Sequence, residues 1–465
     1  MKLKGKRIID ERGQVYELES ELGRGGQGAV YTVKGGKRAI KILLDRSKHR
    51  RELLRGQLQN IRLMHDLRDL AIAAPLEMLQ APHLGYVMEL LTGMGSISQL
   101  IYPPRDVKSL AEWYLDGGGL RRRLLLLARC AEVFAQLHGK GLVYSDPSPS
   151  NIFISTDLDA YEVRLIDADN LHHSSSSSTQ GIYTPGYGAP ELVLGRSGVN
   201  TLTDAHAFAV IAFQTLCSIH PLMGDLVGDG EPELEEKALA GLLPWIDDPD
   251  DESNTTLHGF PRNIVLSPSL KKLSQRCFGE GLRNPTKRPG ISQWVEALYS
   301  AADFTVNCAD CGSTYYANQI SCPWCDCPGQ LRVQLLIKRW ELLPNTKEYQ
   351  KFISNQKILA VLALTEFQPL ILTHRIINGR TGADSHIPAI ELHLERTNIR
   401  VRSLNGQCFW LSSFDGEQQI VVEVQNDWKR FPVNDRNRIW MLHFAPIDRP
   451  HRFVIFRFLT GEHQS

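Results

Sequence analysis

The segment GLVYSDPSPSNIFISTDLDAYEVRLIDADN, residues 141–170, carries the clearest indications of how this chain folds. Two apolar segments within it, 151–155 and 162–166, have the length and composition of β-strands, and a turn-like segment separates them. A hairpin of this length would bring the polar residues that flank its strands to one edge. Those residues are Asp146, Asn151 and Asp167.

Two carboxylates and one amide at the edge of a hairpin suit phosphoryl transfer. One carboxylate accepts the proton of a substrate hydroxyl, while the amide and the second carboxylate hold Mg²⁺ on nucleotide phosphates. The alternative is a polar loop and hairpin in an ordinary β-rich fold. The spacing of Asp146 and Asn151 alone does not separate these two interpretations.

The composition limits the class of protein. At 465 residues the chain is long enough for two or three domains. Lys plus Arg and Asp plus Glu both total 52, so the charge balance gives no reason to expect a nucleic-acid partner. The sequence contains no run of 18 apolar residues, which argues against a membrane span. Nine cysteines, four of them in two Cys-x-x-Cys pairs, suit a reducing cytoplasm. We therefore expect a cytoplasmic protein.

A glycine-rich turn between two predicted strands lies near the N-terminus. Gly23, Gly25 and Gly28 would let the backbone approach phosphate oxygens, although such a pattern can also be a flexible turn. A strand follows Gly28, whereas the dinucleotide-binding version of this motif opens into a helix. Lys41 follows 13 residues after Gly28 within a short apolar strand. A lysine that points to solvent from an edge strand is the alternative.

In this order, these motifs resemble the eukaryotic-type (Hanks-type) serine/threonine protein kinases of bacteria. Further segments in the family's order complete the resemblance: GAPE at 188–191, DAHAFAV at 204–210 and NPTKRP at 284–289. The resemblance implies an α+β chain with a bilobal protein-kinase domain at 10–302. The N-lobe would span about residues 10–90 and the C-lobe about residues 91–302.

The resemblance also implies roles for the residues quoted above. Lys41 would hold the α- and β-phosphates of ATP, Asp146 would accept the proton of the substrate hydroxyl, and Asn151 and Asp167 would bind Mg²⁺. Glu52, in a helix predicted over residues 50–64, would position Lys41, although a solvated glutamate at a helix start is nearly as common.

The nucleotide would contact further residues of the predicted N-lobe. Met88 would lie behind the adenine, and the backbone groups of Glu89 and Leu91 would meet the base. In addition to Lys41 and Glu52, the implied nucleotide-binding set comprises Gly23, Gly25, Gly28, Val30, Ala39, Met88, Glu89 and Leu91. In the C-lobe, Thr184 would lie beside Asp146, and the arginine of NPTKRP would pair with Glu191.

Three departures from the family pattern bear on activity. Tyr144 and Ser145 replace the family's His-Arg, so the usual receptor for a loop phosphate is missing and we expect a different mode of regulation. Ser148 replaces the lysine of the catalytic loop, which removes one charge near the transferred phosphoryl group. Asp169 follows in a DAD step where the family has Asp-Phe-Gly, as a further metal ligand or a turn-starting carboxylate.

Two Cys-x-x-Cys pairs follow the kinase-like region. Their four thiolates would hold structural Zn²⁺ in a zinc ribbon at 303–330, whereas four unrelated reduced thiols are the alternative. The proposed ligands are Cys308, Cys311, Cys322 and Cys325, and Cys327 is an alternate ligand or a bystander.

The remaining residues, 331–465, predict a β-sandwich without a catalytic constellation, for which protein recognition is the default role. The predicted strands are 357–365, 370–377, 389–394, 399–403, 407–412, 419–425, 438–444 and 451–459. The sequence Asn378-Gly379 is one of the turn signals between them.

The sequence as a whole predicts an ATP-dependent kinase that phosphorylates serine or threonine of a protein partner. Its own serine-rich loop at 174–178 is a candidate substrate, although a flexible linker fits equally well. Three features, the serine in place of the catalytic-loop lysine, the DAD step and the CPWC ribbon, are similar to those of kinases that accompany a von Willebrand-type protein and a phosphatase in tellurite-resistance-like systems. A nucleotide-binding pseudokinase scaffold is the alternative from another class, and a small-molecule kinase is a third hypothesis.

Overall fold

The computed structural model describes residues 5–26, 28–45, 47–64, 67, 69–174, 183–329, 332–341, 355–396, 398–414, 419–432 and 438–459. Most of the serine-rich loop therefore lies outside the described residues. The chain forms two compact units. The first comprises Met1–Val107, Leu125–Pro261 and Leu270–Val295, and the second comprises Lys108–Leu124, Arg262–Ser269 and Glu296–Ser465.

An antiparallel six-stranded sheet opens the first unit, with the strand order β1-β2-β3-β4-β6-β5. Its strands are β1 (Arg7–Ile9), β2 (Val15–Arg24), β3 (Gly28–Val33), β4 (Arg38–Leu43), β5 (Glu77–Met78) and β6 (Gly85–Glu89). Helix α1 (Lys48–Leu63) begins where the Ser47 hydroxyl accepts the amide of Arg50. Leu58 of this helix packs against apolar side chains of β4 and β6. The helix predicted over residues 50–64 is confirmed.

Short strands and helices build the rest of the kinase-like region. The strands are β7 (Met94–Ser96), β8 (Leu142–Val143), β9 (Ile152–Ser155), β10 (Val163–Leu165) and β11 (His172–His173). The helices are α2 (Leu110–Asp116), α3 (Gly119–Gly139), α4 (Pro190–Val193), α5 (Thr201–Cys217), α6 (Asp225–Gly228), α7 (Pro232–Leu239), α8 (Arg262–Val265), α9 (Pro268–Phe278), α10 (Glu280–Arg283) and α11 (Ile291–Asp303).

The hairpin predicted from residues 141–170 is confirmed as β9 and β10, which pair antiparallel with Ile152 opposite Leu165. The amide of Ile166 also donates to the carbonyl of Asn151 at 3.0 Å. This register places Asn151 and Asp167 at the same end of the hairpin.

The second unit contains a small hairpin and two larger sheets. The hairpin pairs β12 (Thr305–Asn307) with β13 (Thr314–Tyr316). The six-stranded sheet has the order β15-β14-β23-β22-β19-β20, and the four-stranded sheet has the order β16-β17-β18-β21. Their strands are β14 (Arg332–Trp340), β15 (Ala360–Thr365), β16 (Leu370–Thr373), β17 (Pro388–Glu395), β18 (Asn398–Ser403), β19 (Phe409–Phe414), β20 (Gln419–Val424), β21 (Lys429–Pro432), β22 (Ile439–His443) and β23 (His451–Leu459).

A single apolar core joins the two sheets, because side chains from both belong to one buried cluster, among them Leu335, Leu392 and Val401. The predicted β-sandwich is therefore confirmed. Strands β14 and β21 were not predicted. The strand predicted over 370–377 is wrong beyond Thr373, where helix α12 (His374–Asn378) begins.

No helix in the described ranges is both long enough and apolar enough to cross a membrane.

Candidate active site and cysteine cluster

Lys41 lies in β4 with a side chain that is only 4% exposed, and it forms two ion pairs. Its Nζ lies 2.8 Å from Oδ1 of Asp167 and 2.7 Å from Oδ1 of Asp169. Burial acts to lower the pKa of Lys41, but the charges of the two aspartates outweigh that effect, and the pKa is raised. The lysine is therefore held in its charged form.

Strand β6 approaches β4 closely beside this lysine. Lys41 pairs with Tyr86 across the two strands. The neighbouring Gly85 has a φ of +153°, and a Cβ atom added there would lie 2.0 Å from the carbonyl oxygen of Lys41. Only glycine fits this position without a shift of the backbone.

Asp169 is enclosed by groups from three elements. Besides the lysine of β4, it accepts a hydrogen bond at 3.0 Å from the Tyr86 hydroxyl of β6. From α1, the Gln57 amide donates to the carbonyl oxygens of Asp169 at 3.0 Å and Leu171 at 2.9 Å. Burial, together with the charge of Asp169, raises the pKa of Tyr86 well above its ordinary value, so the phenol remains a donor.

The expectation that Glu52 pairs with Lys41 does not hold. Glu52 is exposed near the start of α1, and among the described residues the carboxylates that contact Lys41 are those of Asp167 and Asp169. The physical reason is that α1 presents Gln57, a neutral side chain, to the loop after Asp167. The lysine's buried charge is balanced by that loop and not by the helix.

Asp167 adopts a left-handed backbone conformation with φ of +60° and precedes a short 3₁₀ turn at Ala168–Asn170. Aspartate visits this conformation more readily than most residues. Its side chain is 28% exposed, whereas that of Asp169 is 4% exposed. Of the two lysine-bound carboxylates, Asp167 is the one open to a ligand.

Asp146 is oriented by Thr184. The Thr184 amide donates to Oδ1 at 2.7 Å, and its hydroxyl donates to Oδ1 at 2.9 Å and Oδ2 at 3.1 Å. Burial raises the pKa of Asp146 above its ordinary value despite these hydrogen bonds. Asn151 donates its side-chain amide to the Asp146 carbonyl at 3.1 Å. The predicted neighbourhood of Thr184 and Asp146 is confirmed.

The backbone before Asp146 is held by Asp204 at the start of α5. Its carboxylate accepts the amides of Tyr144 at 2.8 Å and Ser145 at 3.0 Å, and it contacts the His138 ring at 2.9 Å. The Tyr144 hydroxyl donates to the carbonyl of Ile166. This bond links the loop of Asp146 to the residue before Asp167. Sequence reasoning found the segment that begins with Asp204 but not its role.

Several residues predicted to contact the nucleotide share one apolar cluster in the N-terminal sheet: Val30, Ala39, Met88 and Leu91. Gly28 starts β3, and a Cβ atom there would lie 2.6 Å from the Ile42 carbonyl, so this glycine serves strand packing. Gly23 and Gly25 have open space where their side chains would be. Glu89, at the end of β6, lies opposite Arg38 of β4 in the register of the two strands.

In the C-terminal part of the first unit, Arg288 forms a bidentate ion pair with Glu191, with N–O distances of 2.6 and 2.7 Å. Arg288 also donates to the Gly281 carbonyl at 2.8 Å. The predicted partner of Glu191 is confirmed.

The four predicted zinc ligands converge in the second unit. The sulfur atoms of Cys308, Cys311, Cys322 and Cys325 all lie within 4.8 Å of one another. Two of these separations are 3.6 and 3.7 Å. Zinc–sulfur bonds of about 2.3 Å in a tetrahedron place sulfurs about 3.8 Å apart, so the cluster fits Zn²⁺. Cys327 is not part of this group.

A residue with positive φ directly follows each cysteine pair: Gly312 at +71° and Asp326 at +59°. Trp324, inside the second pair, stacks on Tyr114 with ring centroids 5.4 Å apart. The guanidinium carbon of the fully buried Arg123 lies 3.7 Å from the centroid of the same Tyr114 ring. This aromatic and cationic stack ties the second knuckle to α2 and the first turns of α3.

Residues 16–300 match the protein kinase domain family, and the chain therefore belongs to the protein kinase family.

Three relatives illustrate the similarity. The chain is 29% identical over 230 residues to the DNA damage-responsive serine/threonine-protein kinase RqkA of Deinococcus radiodurans, covering 45% of this chain and 31% of that protein. It is 29% identical over 249 residues to the serine/threonine-protein kinase pkn2 of Myxococcus xanthus, covering 51% and 28%. It is 26% identical over 341 residues to the protein kinase YegI of Escherichia coli, covering 69% and 50%. The matches thus span about a third to a half of these relatives' lengths.

Proposed function

We propose that the protein is an ATP-dependent serine/threonine protein kinase. One observation carries this proposal: a buried lysine contacts Asp167, while a hairpin of two short strands brings Asn151 to the same end as Asp167. Asn151 in turn contacts the backbone of Asp146. Phosphoryl transfer of the kinase type uses such a lysine, base and metal-ligand set.

In this proposal Asp146 orients the substrate hydroxyl and accepts its proton. The burial that raises the pKa of Asp146 makes it a stronger base than an exposed aspartate. Thr184 bonds both carboxylate oxygens and thereby fixes their direction. Lys41 places its charge on the phosphates of the nucleotide, which lies against Val30, Ala39, Met88 and Leu91.

Asn151 and Asp167 offer oxygen atoms, the ligand type that Mg²⁺ prefers, and the Asp167 carboxylate is partly open. When bound, Mg²⁺ would neutralise charge on the phosphates. Asp167 would be the carboxylate that helps to hold the metal, and Asp169 would keep its contact with Lys41.

The catalytic loop lacks the family's arginine and lysine. Ser148 stands at the lysine's position, fully buried, and its hydroxyl lies 2.9 Å from that of Ser150. Without a cation there, we propose slower transfer than in kinases that have the lysine. The same observation favours the second candidate function, a pseudokinase scaffold that binds nucleotide without transferring phosphate.

Transfer of label from [γ-³²P]ATP to a generic protein substrate, or to the protein itself, tests the proposal. The wild type should transfer label, and Asp146→Asn and Asp167→Ala should abolish it. Asp159→Asn, an exposed residue in the turn of the same hairpin, is the matched control and should retain activity. Nucleotide-dependent melting without any transfer in the wild type would support the scaffold instead.

We further propose that the chain divides into a kinase domain at 10–302, a zinc ribbon at 303–330 and a β domain at 331–465. The convergence of four thiols supports Zn²⁺ in the ribbon. Elemental analysis should find one zinc per chain, lost in Cys322→Ser/Cys325→Ser and kept in Cys327→Ser. Equal zinc in all three proteins would reject the ribbon.

The partner is proposed to be a protein that presents serine or threonine hydroxyls in a cytoplasmic setting. The narrower hypothesis, a von Willebrand-type protein together with a cognate phosphatase, rests on motif resemblance alone. Co-purification from cells tests it, and repeated recovery of unrelated proteins without either partner would remove it.

A further inference from the structure

We propose that Asp169 is the positioning residue for Lys41, so that the lysine's permanent carboxylate partner comes from the loop after Asp167 and not from α1. This inference rests on the proposed function, because it assigns a further residue to the same phosphate-binding site. It also replaces the role that family resemblance gives to Glu52.

The first argument is that the two carboxylates at Lys41 differ in exposure. Asp167 is partly open and is the proposed metal ligand, whereas Asp169 is almost completely buried. When Asp167 binds a metal, its charge is no longer available to balance the lysine alone. A buried ammonium without a partner is strongly unfavourable. Asp169 is almost completely buried and can keep the ammonium paired and in place both before the nucleotide phosphates arrive and beside them.

The second argument is that Asp169 is itself held rigidly. Oδ1 of Asp169 receives both the Lys41 ammonium at 2.7 Å and the Tyr86 hydroxyl at 3.0 Å. Tyr86 is fully buried on the strand that pairs with the lysine's own strand. A carboxylate fixed in this way holds the ammonium at one place, which is the requirement for a preorganised charge.

The third argument concerns the helix. Helix α1 reaches this loop through the neutral Gln57, which donates to two carbonyl oxygens of the loop backbone, those of Asp169 and Leu171. Movement of α1 would therefore release the loop but would not remove a charge from the lysine.

A double-mutant cycle tests the inference. Asp169→Asn keeps the shape of the side chain but removes its charge, and we expect kcat to fall by about 10²-fold with a change in KM for ATP below about threefold. In a Lys41→Met background the same substitution should change kcat by less than about twofold, because Asp169 acts through the lysine. If Asp169 instead bound the metal directly, Asp169→Asn would lower kcat by the same factor whether or not Lys41 is present.

The same four proteins can be compared without any catalysis. In the absence of nucleotide, Asp169→Asn should lower the melting temperature of the protein that has Lys41 but not of the Lys41→Met protein. This readout decides the inference even if the wild type transfers no phosphate, an outcome that would sink only the proposed function.

Two single variants complete the test. Glu52→Gln examines the rival assignment and should leave kcat and the melting temperature at their wild-type values. Tyr86→Phe removes one hydrogen bond but no charge, and it should reduce kcat far less than Asp169→Asn does. A Glu52→Gln protein as impaired as Asp169→Asn, or an Asp169→Asn protein with wild-type kcat and melting temperature, would overturn the inference.

Discussion

The Lys41 cluster and the cysteine cluster both concentrate ionisable groups, but they balance charge in opposite ways. In the Lys41 cluster, Lys41 and Asp169 are 128 residues apart in the sequence. The positive charge of the lysine and the negative charges of the carboxylates balance one another within the chain. The cysteine cluster is local, because it spans only residues 308–325, and its four ligands carry charge of one sign when ionised. The charges of the first site are balanced before a ligand arrives, whereas four ionised thiolates at the second would repel one another without a bound cation.

The largest expected effect is on catalysis in the first unit. Asp146→Asn removes the proposed base but keeps an oxygen for Thr184, so kcat should fall about 10³-fold. Phosphate release or transfer measured at saturating ATP gives the number. Zinc content should stay at the wild-type value, since the cysteine cluster shares no residue with this site. Unchanged kcat would remove Asp146 from the mechanism.

Metal removal should separate the two clusters thermodynamically. Dialysis against a strong zinc chelator should lower the melting temperature by about 5 °C or more, because the thiolates lose their common partner. Differential scanning calorimetry before and after dialysis, with re-addition of Zn²⁺ as the control, measures the change. If the melting temperature does not move although zinc is lost, the ribbon's order is independent of metal.

The buried ion pair of Arg288 and Glu191 lies away from any proposed ligand and extends the comparison to a site that balances charge without one. Arg288 is fully buried and bidentate to Glu191, so Arg288→Met should leave a nearly buried carboxylate without its partner. We expect a loss of about 3 kcal/mol in the free energy of unfolding, measured by urea denaturation. The double variant Arg288→Met/Glu191→Gln should recover part of it. A single variant within 0.5 kcal/mol of wild type, on the order of a neutral surface change, would contradict this account.

The smallest expected effect concerns pH. Because burial raises the pKa of Asp146 in the folded state, the native protein binds this proton more tightly than the unfolded chain does. Asp146 therefore favours folding most at pH values below the ordinary aspartate pKa, and this contribution falls as pH rises through the elevated folded value. Above that range, Asp146→Asn should melt slightly higher than wild type. Melting curves of both proteins between pH 3 and pH 8 would show a constant difference if the pKa were not shifted.

Sequence motifs predicted the hairpin, the Thr184 contact, the partner of Glu191 and the convergence of the cysteines, because each depends on local spacing or on a whole ordered set of motifs. The partner of Lys41 was not predictable in this way. Both aspartates of one turn meet the lysine, an arrangement that includes a left-handed φ at Asp167, which the sequence does not reveal. Tyr86 and Gln57 were missed because they are ordinary residues of a strand and a helix.

The β domain shows where strand patterns are insufficient. Strand β14 alternates buried Val333, Leu335 and Ile337, but a lysine and an arginine near its end obscure the pattern. The sequence Asn378-Gly379 was interpreted as a hairpin turn, yet Gly379 has a φ of +69° and ends helix α12. The same two residues suit both structures, because each requires a left-handed conformation.

Gly85 is a position in the N-terminal sheet at which a single substitution would disturb two strands. Since a methyl group there would collide with the backbone of Lys41, any other residue would push apart the strand that carries the lysine and the strand that leads to Met88. One added carbon atom would therefore move both Lys41 and Met88, the residues proposed to lie at the phosphates and at the base.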